Sequence, residues 1–238
     1  MRLLLSLLSL ATSLHAADPA GFKSIFNGRD LAGWEGLMAF WSVRDGAITG
    51  QTTTANPLKT NTFLVWKGGD VKNFELRASF RLTGQNDKGF ANSGIQYRSR
   101  IVDAAGYVLA GYQADMDLVG KYVGMLYEEK GRGILMQPGQ TIRVGPMAEG
   151  QKKAPVEIVA TQMGPDEVAT TYKAGAWNEL VIIAEGNRLR HFVNGKLFAD
   201  VTDNDPVKGA ATGVLALQLH AGQPMTVEFK NLLLKTLP

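Results

Sequence analysis

The sequence contains no cysteine. Disulfides, thiolate metal ligands, thiol nucleophiles and a lipid-modified cysteine anchor are therefore excluded. Histidine is nearly as scarce, at three in 238 residues. His15 falls in an N-terminal leader, which leaves His191 and His220. Two histidines cannot build a three-His zinc site, and no HExxH run occurs. There is no GxSxG elbow and no glycine-rich loop that runs from a strand into a helix. The formal net charge is only +3, and Gln151-Lys152-Lys153 is the nearest thing to a basic run. Nucleic-acid binding therefore has little support. Beyond the leader, no apolar stretch is long enough to cross a membrane.

The leader itself is legible. Met1-Arg2 precedes an apolar run from Leu3 to Leu14, followed by Ala16-Ala17. A positive start, a short apolar stretch and small residues near a cut describe a secretory signal peptide. Residues 1–17 are expected to be removed, and the mature protein is expected in the periplasm or outside the cell. A mature chain of about 220 residues can build a core large enough to stand without disulfides.

The rest of the chain is rich in glycine and in short apolar stretches. Phe74, Leu76, Ala78 and Phe80 alternate with Glu75, Arg77, Ser79 and Arg81. That period of two describes a strand with one face on the core. Val214 to His220 repeats the pattern, as does Val227 to Leu232. Asn194-Gly195 between two apolar runs predicts a hairpin with a type I′ turn, and Asp45-Gly46 predicts a second tight turn. A short helix is predicted over Pro165 to Tyr172. Lys130 to Pro155, rich in Gly and Pro, reads as a long loop over one edge. No repeat, linker or long amphipathic helix appears. Many short strands with frequent turns predict an all-β, two-sheet antiparallel sandwich of the jelly-roll type, spanning residues 21–237 as one domain.

What remains for chemistry is carboxylates, two histidines, arginine, lysine, tyrosine and amides, an inventory that suits sugar binding and acid–base work. Tyr112 to Asp117 puts Gln113, Asp115 and Asp117 on one strand face, and Asn92 to Arg98 puts Asn92, Gln96 and Arg98 on another. If these faces meet, one concave surface carries Glu75, Arg77, Asn92, Arg98, Gln113, Asp115, Gln218 and His220. Sugar hydroxyls point in many directions, and such side chains meet them with paired hydrogen bonds. His191, beside Val193 and opposite Phe198, reads as a packing residue. Tyr127 to Arg132 is a charge cluster at the entry to the long stretch.

Several stretches together resemble the 3-keto-disaccharide hydrolase domain family. They are Phe26 to Trp34, Trp41 to Gly46, Phe74 to Arg77, Asn92 to Ile95 and Gly111 to Asp115. Leu126 to Glu129, Gly131-Arg132, Trp177-Asn178, His191 with Asn194-Gly195, and Gly213 to His220 complete the ordered set. The resemblance implies a concanavalin A-like fold with a concave binding face. In one respect the chain departs from the pattern. Many members carry Tyr-Glu-x-Gln where this chain has Tyr112-Gln113-Ala114-Asp115, so acid and amide have exchanged places.

The implied substrate is a sugar oxidised at C3. The ketone acidifies the C2 proton, a base removes it, and the C1 bond breaks by β-elimination. On this reading Asp115 is the base, Arg98 stabilises the enolate, and His220 is the acid or a second donor. Glu75, Arg77, Asn92, Gln113, Gln218, Glu128 and Arg132 are expected to bind substrate. No cofactor is expected, although Asp115, Asp117 and Glu128 could hold a divalent cation through oxygen ligands. The expected partner is a carbohydrate. Two alternatives stay open: a non-catalytic, lectin-like binding domain, and a glycoside hydrolase working with two carboxylates.

Overall fold

The computed structural model describes residues 18–151 and 153–238. The signal peptide expected over residues 1–17 lies outside the described residues. In chain order the strands are β1 (Lys23–Ser24), β2 (Trp34–Glu35), β3 (Trp41–Arg44), β4 (Ala47–Thr52), β5 (Thr62–Trp66) and β6 (Phe74–Gly84). They continue with β7 (Asn92–Asp103), β8 (Val108–Asp117), β9 (Leu126–Glu129), β10 (Gly133–Ile134), β11 (Gln140–Val144) and β12 (Val156–Thr161). After the helix α1 (Pro165–Thr171) come β13 (Asn178–Glu185), β14 (Arg188–Val193), β15 (Lys196–Asp203), β16 (Val214–Leu219) and β17 (Met225–Thr236). No helix among the described residues is long and apolar enough to cross a membrane.

The strands form two sheets packed face to face as a concanavalin A-like jelly roll. The larger, ten-stranded sheet runs β12-β11-β15-β14-β13-β6-β17-β4-β3, with β1 added on β17. The smaller, seven-stranded sheet runs β10-β9-β8-β7-β16-β5-β2. Period-two patterning decides which face of each strand is buried. Phe74, Leu76, Ala78, Phe80 and Leu82 of β6 enter the core beside Leu180, Ile182 and Ala184 of β13. Ile95, Tyr97, Tyr112, Ala114, Met116, Leu215, Leu217 and Leu219 meet them from the smaller sheet. Both tight turns have the backbone their sequences predict: Asn194 and Gly195 lie at φ 48° and 80°, and Asp45 and Gly46 at 48° and 73°.

The stretch read as a loop, Lys130 to Pro155, contains β10 and β11 instead. Ile142 and Val144 alternate with Thr141 and Arg143, and both apolar side chains are buried. The Gly- and Pro-rich segments flanking β11 are the turns into and out of a strand. β11 also pairs parallel with β15, an exception in sheets that are otherwise antiparallel.

Among the described residues, two of the polar ties between the sheets are buried contacts centred on His191 and Arg132. His191 on β14 is fully buried, and its Nε2 meets the Tyr97 hydroxyl of β7 at 2.8 Å while Nδ1 faces the Gly124 carbonyl at 3.1 Å. Burial pushes its pKa down to about 4, so it stands as a neutral bridge. The second tie centres on Arg132, just after β9. Its guanidinium donates to Glu128 and, at 2.6 Å, to Asp203 of the larger sheet. The Tyr112 hydroxyl donates to the same Asp203 carboxylate at 2.5 Å. The side chains of Arg132 and Asp203 are each 2% exposed. Removing the guanidinium strands two carboxylates out of water. Arg132→Met is therefore expected to cost about 3–5 kcal/mol in denaturant unfolding; a loss under about 1 kcal/mol would show that the tie does not join the sheets.

Candidate active site

The face of the smaller sheet turned away from the core is polar, and much of it is buried. Along β8, Tyr112, Ala114 and Met116 enter the core, so Gln113 and Asp115 point the other way. Register carries this across the sheet: Gln113 pairs with Gln96 of β7 and with Tyr127 of β9, and Asp115 pairs with Gly94. Ala216 pairs with Gln96, which places Gln218, two residues on, upon the same face.

These side chains form a chain of amides that ends on a carboxylate. Gln96 donates to Gln113 and Gln113 to Gln218, each at 3.4 Å. Gln218 donates to Glu129 Oε2 at 3.1 Å, and Asn61 donates to the same oxygen at 3.4 Å. Gly94 makes room for the relay. A Cβ there would lie 2.4 Å from Cγ of Gln113, so only glycine lets that side chain cross β7 toward β16.

Asp115 is 6% exposed. Its Oδ1 accepts the Met116 amide at 2.7 Å and the Asn92 side chain at 3.3 Å. Burial raises its pKa from the usual 3.8 to about 8, and the nearby charges of Asp117 and Glu129 add to the rise. The carboxyl is therefore mostly protonated at neutral pH. His220 follows β16 directly. Its Nδ1 lies 2.5 Å from the Ala221 carbonyl, which can only accept, so Nδ1 carries a proton and Nε2 is the nitrogen left to exchange one with a ligand. Tyr127 is also held as the neutral phenol, chiefly by burial. These groups, with Asn61, Asn92, Gln113, Gln218, Glu129 and Tyr122, line one cleft of about 240 Å³.

The cleft thus unites five of the residues expected from the sequence: Asn92, Gln113, Asp115, Gln218 and His220. The other five lie elsewhere. Glu75 and Arg77 sit on β6 of the larger sheet and pair with each other, with Arg77 stacked 4.4 Å over Phe22. The polar faces of the two sheets lie back to back, so these residues do not share the concave surface expected of them. Arg98 sits at a bulge with φ 47°, which breaks the alternation of β7. Its guanidinium donates to the carbonyls of Lys72, Gly186 and Ala210. Glu128 turns to the opposite side of β9 from Glu129, and Arg132 is used in the tie to Asp203.

Glu129 and Tyr127 are the residues that the sequence reading passes over. Their signal was present: they are two apart on one short strand, so they share a face, while Glu128 faces the other way. The cation site imagined from Asp115, Asp117 and Glu128 does not converge. Asp117 accepts the backbone amides of Lys121 and Tyr122 at 3.1 and 2.7 Å, and Glu128 is taken by Arg132. Among the described residues no three His, Asp or Glu side chains gather as metal ligands.

Comparison with known proteins agrees with the fold. The family described as the 3-keto-alpha-glucoside-1,2-lyase-like domain matches residues 21–235. A candidate glycosyl hydrolase from Parabacteroides distasonis superposes with a TM-score of 0.56 at 19% identity, over 92% of this chain and 94% of its own. The carbohydrate binding module CBM66 from Bacillus subtilis superposes with a TM-score of 0.54 at 15% identity, over 86% and 96%. A galectin-like protein of unknown function from Bacillus subtilis gives 0.53 at 10% identity, over 87% and 90%. No curated protein matches the chain.

The raised pKa of Asp115 has a sign that can be measured. A carboxyl whose folded pKa lies above its unfolded value stabilises the fold below about pH 4 and loses that contribution as the pH climbs to about 8. Asp115→Asn removes this dependence. Thermal unfolding is expected to show the wild type losing ground to the variant between pH 5 and 9, and parallel pH profiles would contradict the assignment.

Proposed function

Because the chain belongs to the 3-keto-alpha-glucoside-1,2-lyase-like domain family, a carbohydrate-active group, we propose that it cleaves 3-keto-glycosides by β-elimination in the Asp115 cleft. The observation that carries this reading is the pairing of a neutral carboxyl at Asp115 with an imidazole at His220 whose Nε2 is left to exchange a proton. Two titratable groups whose surroundings leave one able to give a proton and the other able to take one are the ingredients of acid–base chemistry.

The roles then reverse those assigned from sequence. His220 Nε2 removes the C2 proton, and the electron pair moves onto the C3 oxygen as an enolate. The Tyr127 hydroxyl and the Asn92 amide are the donors nearest to hand for that oxygen, in place of the distant Arg98. When the enolate collapses, a double bond forms between C1 and C2, the C1–oxygen bond breaks, and Asp115 gives its proton to the leaving oxygen. Water then adds to the enone in a later step, giving the free 3-keto sugar. Glu129, fixed by Gln218 and Asn61, is placed to hold a ring hydroxyl. Export through the leader at residues 1–17 belongs to the same reading.

A second reading has one specific observation behind it. Asp115 and Glu129 are two carboxyl groups in one cleft, as a glycosidase acting on unmodified sugars needs.

Incubation with a 3-keto-glucoside and, in parallel, its unoxidised parent separates the two. Cleavage of the keto form alone is expected. Cleavage of the parent would move the chemistry to Asp115 and Glu129, and binding without cleavage of either would leave a lectin-like domain. With the keto substrate, His220→Ala and Asp115→Asn should each lower kcat about 100-fold or more. In the wild type, kcat/KM should fall as the pH rises past about 8, where Asp115 loses its proton.

A further inference from the structure

A second groove of about 440 Å³ opens beside the cleft and shares Asn92 and Tyr122 with it. Its walls are apolar where the cleft is polar: Phe90, Ala91, Leu118 and Val119 line it. Val119 is 76% exposed, which is unusual for a valine that sits among other apolar side chains. The walls are held in shape before anything binds. Asn86 fixes one loop by donating to the carbonyls of Phe90 and Pro224 and by accepting the Phe90 amide. The Asp117 carboxylate fixes the other through the amides of Lys121 and Tyr122. At the junction of groove and cleft, the Phe90 ring packs edge-on against His220, with centroids 5.5 Å apart.

We propose that this groove is the aglycone subsite and that it selects glycosides with an aromatic aglycone. The inference rests on the reading of the Asp115 cleft as the site that holds the sugar ring. The bond that breaks joins the ring to its leaving group, so the leaving group must extend from the cleft into a neighbouring space. The groove is contiguous with the cleft beside His220, is mostly apolar, and offers the Phe90 ring for edge or offset stacking. Phe90, Ala91, Leu118 and Val119 offer a sugar's hydroxyls no partners, so the groove matches an apolar ring better than a second sugar. Lys88 and Lys121 stand at the rim and disfavour a cationic aglycone.

The test compares phenyl and methyl 3-keto-glucosides of the same anomer with the wild type and with Val119→Asp. The wild type should favour the phenyl compound in kcat/KM, and the variant should reduce that phenyl-to-methyl ratio about tenfold. Val119 is solvent-exposed, so the substitution spares the core, and an unchanged melting temperature verifies this. No phenyl preference in the wild type, or a ratio unmoved in the variant, overturns the subsite. If neither keto compound is cleaved, the reaction assigned to the cleft falls, but the subsite is still decided by calorimetric titration with the unoxidised phenyl and methyl glucosides. Phenyl-selective binding that Val119→Asp weakens supports it, and equal binding of the two overturns it.

Discussion

The alternation of side chains along β8 is the constraint on which the site depends. Tyr112, Ala114 and Met116 are needed in the core between the sheets. A strand cannot bury those three without turning Gln113 and Asp115 to the opposite face. Loops at the end of the sheet that carries Asn61 and Tyr122 border that face, and its polar groups are drawn out of water without being joined to the apolar core. Most of them find partners in the protein through the relay from Gln96 to Glu129, although Gln96 Oε1 itself is left without one. Asp115 has only a backbone amide and one asparagine to offset the loss of water, and its pKa rises accordingly.

The same principle gives different outcomes at different buried polar groups. Around Arg132 the carboxylates of Glu128 and Asp203 meet a guanidinium, and the charges compensate. His191 loses its charge altogether and serves as a neutral bridge. Asp115 has no cation among its hydrogen-bond partners. A carboxyl in that state costs stability whenever it ionises, and such a cost is tolerated most readily where the proton has a use. Rigid strands carry Asp115, Gln113, Glu129 and Tyr127, while the loops supply Asn61 and Tyr122. The cleft is therefore carried by the scaffold and bordered by segments that shape its entrance.

Much of the fold was legible because period-two patterning is local: Phe74 to Arg81 reveals its buried face without reference to any other strand. The turns at Asp45-Gly46 and Asn194-Gly195 were legible for the same reason. What could not be read was which polar faces meet. Glu75 and Arg77 have the same alternation as Gln113 and Asp115, but they lie on the other sheet, and strand order across sheets is not encoded in spacing. Arg98 was misplaced by a bulge, which shifts the parity of a strand without an evident mark in the sequence. Glu128 was chosen over Glu129 although parity distinguishes them, because the pair was read as one charge cluster and not as two faces of β9. β11 was missed because glycines and prolines around it outweighed the short alternation of Ile142 and Val144.

A sugar ring is proposed to sit on the outer face of the smaller sheet, among Asp115, Glu129, Tyr127 and His220. Amide chemical-shift mapping by NMR with 3-keto-glucose tests it most directly. Shifts are expected to concentrate at Asn92, Met116, Tyr127, Glu129 and His220 and to weaken when Asp115 is replaced by Asn. Shifts confined to another surface, such as the cleft beside Lys23, Arg29 and Trp66, would contradict it.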